Sequence, residues 1–160
     1  MKRVLVTGMS GVGKSSVLDV LRGRGYKAVD ADYDGLSEFD EAGNWEWNEE
    51  RVQAVLTTED ADALFFSGTS SKMRRFLPLF DYVVLLSAPA ELMAERLRTR
   101  TNNPYGQQPG EIEKSLHYKE TIEPILRTMA TIEIDTSPPL ADVVASVLAH
   151  VQLANGPVDR

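Results

Sequence analysis

Residues 4–16 read Val4-Leu5-Val6-Thr7-Gly8-Met9-Ser10-Gly11-Val12-Gly13-Lys14-Ser15-Ser16. A short apolar run leads into a glycine-rich turn. The turn leads into a helix start, Lys14 to about Arg22, where Val17, Leu18 and Leu21 recur at helical spacing before Gly23 and Gly25 stop it. The turn satisfies G-x-x-x-x-G-K-[ST] at each fixed position: Gly8, Gly13, Lys14 and Ser15. Without a Cβ at Gly11 and Gly13 the backbone can curl until consecutive N–H groups point at one anion. The following helix adds its unpaired N-terminal donors and dipole. Lys14 is then placed to reach the β- and γ-phosphate oxygens of a nucleotide, and the Ser15 hydroxyl to ligate Mg²⁺. The expected nucleotide cradle is therefore Gly8, Ser10, Gly11, Val12, Gly13, Lys14, Ser15 and Ser16.

Outward from this stretch, apolar runs alternate with helical patterns. Strand two is expected at 26–29, strand three at 63–67, strand four at 82–86 and strand five at 131–134. Helices are expected at about 47–56, 73–77, 89–98, 111–129 (interrupted at Pro124) and 140–153. Strands this continuously apolar suit a parallel sheet covered on both faces, so the fold class is α/β. The polar, turn-rich stretch at about 100–112 is the expected lid, about 31–60 the acceptor-binding insert, and 155–160 a tail beyond a single domain of residues 1–154.

The chain has 160 residues and a formal net charge of −7, which argues against general nucleic-acid binding. It contains no cysteine, which removes disulfides, thiolate metal sites and cysteine nucleophiles from consideration. A core strand starts directly after Met1-Lys2-Arg3, and no apolar run approaches membrane-spanning length. The expectation is a cytoplasmic protein, monomer or homodimer, with a small-molecule partner and neither nucleic acid nor membrane. Between residues 30 and 50 stand nine carboxylates and no Lys or Arg, so this segment alone is more negative than the whole chain. Trp45 and Trp47 lie in the same segment, either packing on the helix behind them or forming a stacking wall for a ring-shaped acceptor.

With the phosphate loop at its N-terminal end, five strands and an arginine-bearing lid, the chain resembles the shikimate kinase and nucleoside monophosphate kinase (adenylate kinase-like) branch of the P-loop kinases. The resemblance implies a three-layer P-loop NTPase fold with a parallel sheet of order 2-3-1-4-5. Asp30-Ala31-Asp32 matches the D-x-D after strand two of shikimate kinases, which implies Asp30 at the Mg²⁺ with Ser15 and Asp32 on the acceptor. Arg96-Leu97-Arg98-Thr99-Arg100 resembles the R-L-x-x-R that opens the lid of adenylate-kinase-like enzymes, implying Arg96 against the adenine and Arg100 near the phosphates. At i, i+4 spacing those two share a helix face that Arg98 does not. Gly68 sits where shikimate kinases carry a glycine-rich substrate turn, although here the turn reads Gly68-Thr69-Ser70. Strand three ends without an Asp, which leaves Asp30 or Asp32 to serve the metal.

Charge arithmetic favours a neutral or cationic acceptor, since a phosphate among these carboxylates needs Arg51, Arg74 or Arg75 to neutralise it. The expected function is an ATP- and Mg²⁺-dependent kinase acting on a hydroxyl of a small metabolite, with Lys14, Asp32 and Arg100 catalytic. Asp32, Arg51, Gly68 and Trp47 are the expected acceptor contacts. The alternatives are a nucleoside monophosphate kinase and a nucleotide-binding regulatory ATPase.

Overall fold

The structure is a computed structural model describing residues 1–101 and 105–153. Residues 102–104 of the expected lid and the expected tail, 155–160, lie outside the described residues. Five strands form one parallel sheet: β1 (Lys2–Thr7), β2 (Lys27–Asp30), β5 (Ala63–Ser67), β6 (Tyr82–Ser87) and β7 (Ile132–Asp135). Their order is β2-β5-β1-β6-β7, which is the expected order 2-3-1-4-5 once the sheet strands alone are counted.

Apolar continuity explains the placement. Val4, Leu5 and Val6 are wholly buried in the middle of the sheet, and every residue of β5 beside them is buried. Successive side chains leave opposite faces of a strand, so Phe65 and Phe66 serve two cores. Phe65 meets the edge of Tyr26 on the side of α1 (Lys14–Gly23), and Phe66 meets the edge of Trp47 on the other. The sheet is thus covered on both faces.

The segment between β2 and β5 departs from expectation. It contains an antiparallel hairpin, β3 (Ser37–Phe39) with β4 (Trp45–Trp47), before α2 (Glu49–Thr57) begins on an Asn48 cap. Each strand has three residues, too few for an alternation pattern to stand out in the sequence. The hairpin sets Glu38 opposite Glu46, an unfavourable pairing that is offset by separate partners. Asn48 Nδ2 donates to Glu38, while the Ser70 and Ser71 hydroxyls and the Ser71 N–H donate to Glu46.

After β5, Met73–Leu79 is a 3-10 helix that contains Pro78 rather than ending before it. α3 (Ala90–Thr99) follows β6. The expected long helix 111–129 is two helices, α4 (Glu111–Thr121) and α5 (Glu123–Met129), broken at Ile122. Pro124 sits in the first turn of α5, where its missing N–H costs nothing. α6 (Leu140–His150) ends earlier than expected, and Gln152 beyond it takes a left-handed φ of 59°. Among the described residues no helix is long and apolar enough to cross a membrane.

The strand ends place the loops that matter. Gly68 N–H donates to Val6 O, Ala31 N–H to Ser67 O and Thr136 N–H to Ser87 O, at 3.2, 2.8 and 2.9 Å. These bonds carry the parallel pairing past the strands, so the loops after β1, β2, β5, β6 and β7 gather at one edge. In sheets of this kind the crevice beyond the carboxyl ends, where strand order reverses about β1, is where ligands bind.

Candidate functional site

Residues 8–13 form the turn between β1 and α1, and its glycines are there for space as much as for φ. A Cβ on Gly8, whose φ is 152°, would lie 2.5 Å from Leu86 O and 2.9 Å from Val12 Cγ2. Gly11, at φ 88°, would meet Met93 O at 3.0 Å, and Gly13, at φ 104°, starts α1 in a left-handed conformation. Gly8→Ala is accordingly expected to cost on the order of 2–3 kcal/mol, from backbone clash and strain together. Thermal or urea unfolding would check it; an alanine variant as stable as the wild type would contradict this packing.

The loop borders a cavity of about 330 Å³. Ser10, Gly11, Val12, Gly13, Lys14, Ser15 and Ser16 all line it, while Gly8 is buried behind them. Lys14 folds back over the turn and its Nζ donates to Gly8 O at 2.6 Å and Met9 O at 3.1 Å. Burial lowers its pKa to about 8, against the opposing pull of Asp32 and Asp30; Arg100 adds a smaller push downward. Partly buried, incompletely compensated positive charge beside a glycine-rich turn and a helix N-terminus is what an anion needs.

Asp30 and Asp32 reach the same cavity from the end of β2. Ser15 Oγ donates to Asp30 Oδ2 at 3.3 Å, so the hydroxyl of the loop motif and the first carboxylate of D-x-D are neighbours. Desolvation raises the Asp30 pKa, opposed by the Asp32 N–H that donates to its Oδ1 at 2.9 Å; the Asp32 charge adds to the rise, and Ser15 and Lys14 oppose it. A partly buried hydroxyl beside a carboxylate whose proton affinity is raised presents two oxygens of the kind a divalent cation takes.

Arg96 and Arg100 face the cavity from α3 and its end, with Arg98 exposed on the other side. Arg96 spans two loops: Nη1 donates to Val12 O at 3.1 Å and Thr136 Oγ1 at 2.8 Å, and Nη2 to Thr136 O at 2.7 Å. Thr136 Oγ1 itself donates to Val12 O at 2.6 Å. Beside this knot Pro138, Leu140 and Val143 give the cavity an apolar end. Arg100 donates through Nε and Nη2 to Tyr105 O, at 3.1 and 2.7 Å. Burial lowers the pKa of both guanidinium groups without threatening their charge. The described part of the expected lid is tied down: Gly106 and Gln108 donate backbone N–H groups to Glu111, and Gln107 Nε2 donates to Leu97 O.

Three of the expected acceptor contacts lie elsewhere. Trp47 is 1% exposed and packs on Phe66 and Phe76, in the core rather than on a wall open to a ligand. Gly68 is buried behind it, where a Cβ would come within 2.9 Å of Trp47 Nε1 and of Ala31 Cβ; it is small to admit the indole. Arg51 turns away from the cavity and donates to Gly35 O at 3.1 Å. The tryptophan that does reach the site is Trp45, whose Nε1 donates to Asp32 Oδ1 at 3.0 Å. Tyr33 also lines the cavity. Thr69 links the β5 loop to the phosphate loop, sharing a hydrogen bond with Thr7 Oγ1 at 2.8 Å and donating to Gly8 O at 2.9 Å. The position of Tyr33, Thr69 and Thr136 after strands was the available sequence signal; which way Trp45 points depends on hairpin register, which carried none.

Solved structures of similar architecture share this sheet. Shikimate kinase from Acinetobacter baumannii in complex with shikimate superposes with a TM-score of 0.70 at 24% identity, over 95% of this chain and 93% of that one. Shikimate kinase from Bacteroides thetaiotaomicron gives 0.69 at 18%, over 95% and 99%. A gluconokinase from Sinorhizobium meliloti gives 0.64 at 20%, over 94% and 91%. No curated protein matches the sequence significantly. The likeness to these structures establishes a P-loop NTPase fold with helices on both faces of a five-stranded parallel sheet. The sequence model of one family matches residues 4–122, from the first core strand to the end of α4, and by that match the chain belongs to the AAA domain family.

Proposed function

We propose that this protein is an ATP- and Mg²⁺-dependent kinase that transfers the γ-phosphoryl group to a hydroxyl of a small, non-phosphorylated metabolite in the cytoplasm. The observation that carries the reading is the convergence of Lys14, Ser15 with Asp30, Asp32 and Arg100 on one cavity beside a backbone anion cradle. Backbone N–H groups from Ser10 to Ser16 hold the phosphates, and Lys14 leaves its carbonyl partners to pair with β- and γ-oxygens. Arg96 and the apolar end near Pro138 take the base. Ser15 and Asp30 would hold Mg²⁺, which when bound neutralises phosphate charge. Asp32 accepts the proton of the acceptor hydroxyl as its oxygen bonds to the γ-phosphorus and the bond to the bridging oxygen breaks, releasing ADP. Arg100 faces the equatorial oxygens on which negative charge develops.

Support for a non-phosphorylated acceptor comes from where the nearby cations are. Arg51 is engaged with Gly35 O and Arg75 with Glu49, while Asp32 faces the cavity. A monophosphate beside Asp32 would meet its repulsion, and neither Arg51 nor Arg75 is turned to offset it. The small-molecule kinases of like fold, shikimate kinase and gluconokinase, support an acceptor of that size.

ADP release from MgATP, measured against a panel of unphosphorylated sugars, sugar acids and polyols alongside AMP, CMP, GMP and UMP, tests this. Stimulation by an unphosphorylated alcohol is expected. Stimulation by monophosphates alone would establish the nucleotide kinase instead, and slow hydrolysis indifferent to every acceptor would favour the regulatory ATPase.

A further inference from the structure

The hairpin β3–β4 is the feature at the site that nucleotide binding does not account for. Tyr33, next to Asp32 in the chain, and Phe39 and Trp45 of the hairpin stand 54%, 70% and 45% exposed, unusual for large aromatic side chains. Trp45 has two engagements: its indole N–H donates to Asp32 Oδ1 at 3.0 Å, and its ring meets Phe39 edge-on with centroids 4.9 Å apart. The support behind it is firm. Glu46, the next residue, is held by the hydroxyls of Ser70 and Ser71, and Trp47 after it is sunk in the core. Asn48 N–H donates to Leu36 O at 2.7 Å, closing the base of the hairpin.

Asp32 is exposed, and an unrestrained carboxylate there would sample several rotamers. The indole N–H removes that freedom at one oxygen. Oδ2 accepts no hydrogen bond from any described residue and belongs to a side chain lining the cavity with Lys14, Ser15 and Arg100.

We propose that Trp45 is a positioning residue for the phosphoryl acceptor, fixing Asp32 through Oδ1 so that Oδ2 is aimed at the attacking hydroxyl. The hairpin is then a rigid arm of the acceptor site. This rests on the phosphotransferase reading above.

The test is a double-mutant cycle on ADP formation from MgATP, with Trp45→Phe, Asp32→Asn and the double variant. Phenylalanine keeps a ring against Phe39 and deletes only the donor, so folding, followed by thermal melting, is expected to be retained. Trp45→Phe is expected to lower kcat about 10-fold with little change in KM for ATP, the loss of one hydrogen bond to a charged group. The double variant is expected to be no slower than Asp32→Asn alone. Losses that multiply, or a Trp45→Phe enzyme at full kcat, would overturn the proposal while leaving the kinase reading intact. A wild-type protein that forms no ADP from MgATP with any member of the acceptor panel above would overturn both. A second measurement needs no turnover: the Trp45 indole N–H resonance, identified by its disappearance in Trp45→Phe, should exchange with solvent several-fold faster in Asp32→Ala. An unchanged exchange rate would overturn the hydrogen bond on which the proposal stands.

Discussion

Lys14→Ala is expected to lower phosphoryl transfer by about 10²–10³-fold or more while leaving the melting temperature nearly unchanged. The reason lies in the contacts Lys14 makes within its own loop. Its ammonium is partly buried and held by two carbonyls of its own loop, Gly8 O and Met9 O, with no carboxylate of the described residues in direct contact. Two neutral acceptors compensate the charge poorly, so the native state loses little stability when the side chain goes. A triphosphate compensates it well, and more so as charge builds on the transferred group. The pH dependence follows with a definite sign. Burial lowers the Lys14 pKa to about 8, so the free protein carries the charged form below that pH and loses it above. A bound triphosphate favours the ammonium, hence binding takes up a proton above about pH 8, and affinity falls there by at most about tenfold per pH unit. Calorimetric titrations in buffers of different ionisation enthalpy read this directly. An affinity flat from pH 7 to 10, or the same slope in Lys14→Ala, would contradict it.

Asp32→Asn carries the second large effect. The amide is nearly isosteric, and its oxygen can still accept the Trp45 indole N–H, so the hairpin should stay in place. What disappears is a group that can take a proton and a negative charge beside Lys14. Transfer to the acceptor is expected to fall by about 10²–10⁴-fold with nucleotide affinity changed little. The split between the two readouts is the informative part. A loss of affinity matching the loss of turnover would put Asp32 in the nucleotide site instead, and full turnover would remove it from the chemistry.

How far the sequence reached can be judged residue by residue. The sheet was legible because β1, β5 and β6 are apolar on both faces, and a run such as Ala63-Leu64-Phe65-Phe66 permits few other readings. The cradle was legible because its chemistry is main-chain chemistry: glycine spacing reports it without any knowledge of packing. Asp30 and Asp32 were legible for a related reason, since the carboxyl end of a buried strand is a position that topology alone delivers to the crevice.

Residues 31–60 were not legible to the same degree. Trp45 and Trp47 are two apart, so a strand puts both on one face; what separates them is distance along the hairpin, Trp45 beside the turn opposite Phe39 and Trp47 at the base opposite Ser37, and that requires knowing that a hairpin with three residues a side is there. The outcome put Trp47 against Phe66 and gave Trp45 to Asp32. Gly68 presented a related ambiguity, because a glycine that admits a ligand and one that admits an indole look the same in sequence. Arg51 was chosen on charge, and charge does not say which carbonyl a long side chain will reach.

The central claim is that the loop from Gly8 to Ser15, with Lys14, grips the phosphates of a nucleotide. Isothermal titration of the purified protein with a non-hydrolysable ATP analogue and Mg²⁺ measures it most directly, with Lys14→Ala in parallel. The account predicts saturable one-to-one binding that Lys14→Ala weakens severely. Absence of binding by any purine triphosphate, or equal affinity in wild type and Lys14→Ala, would contradict it.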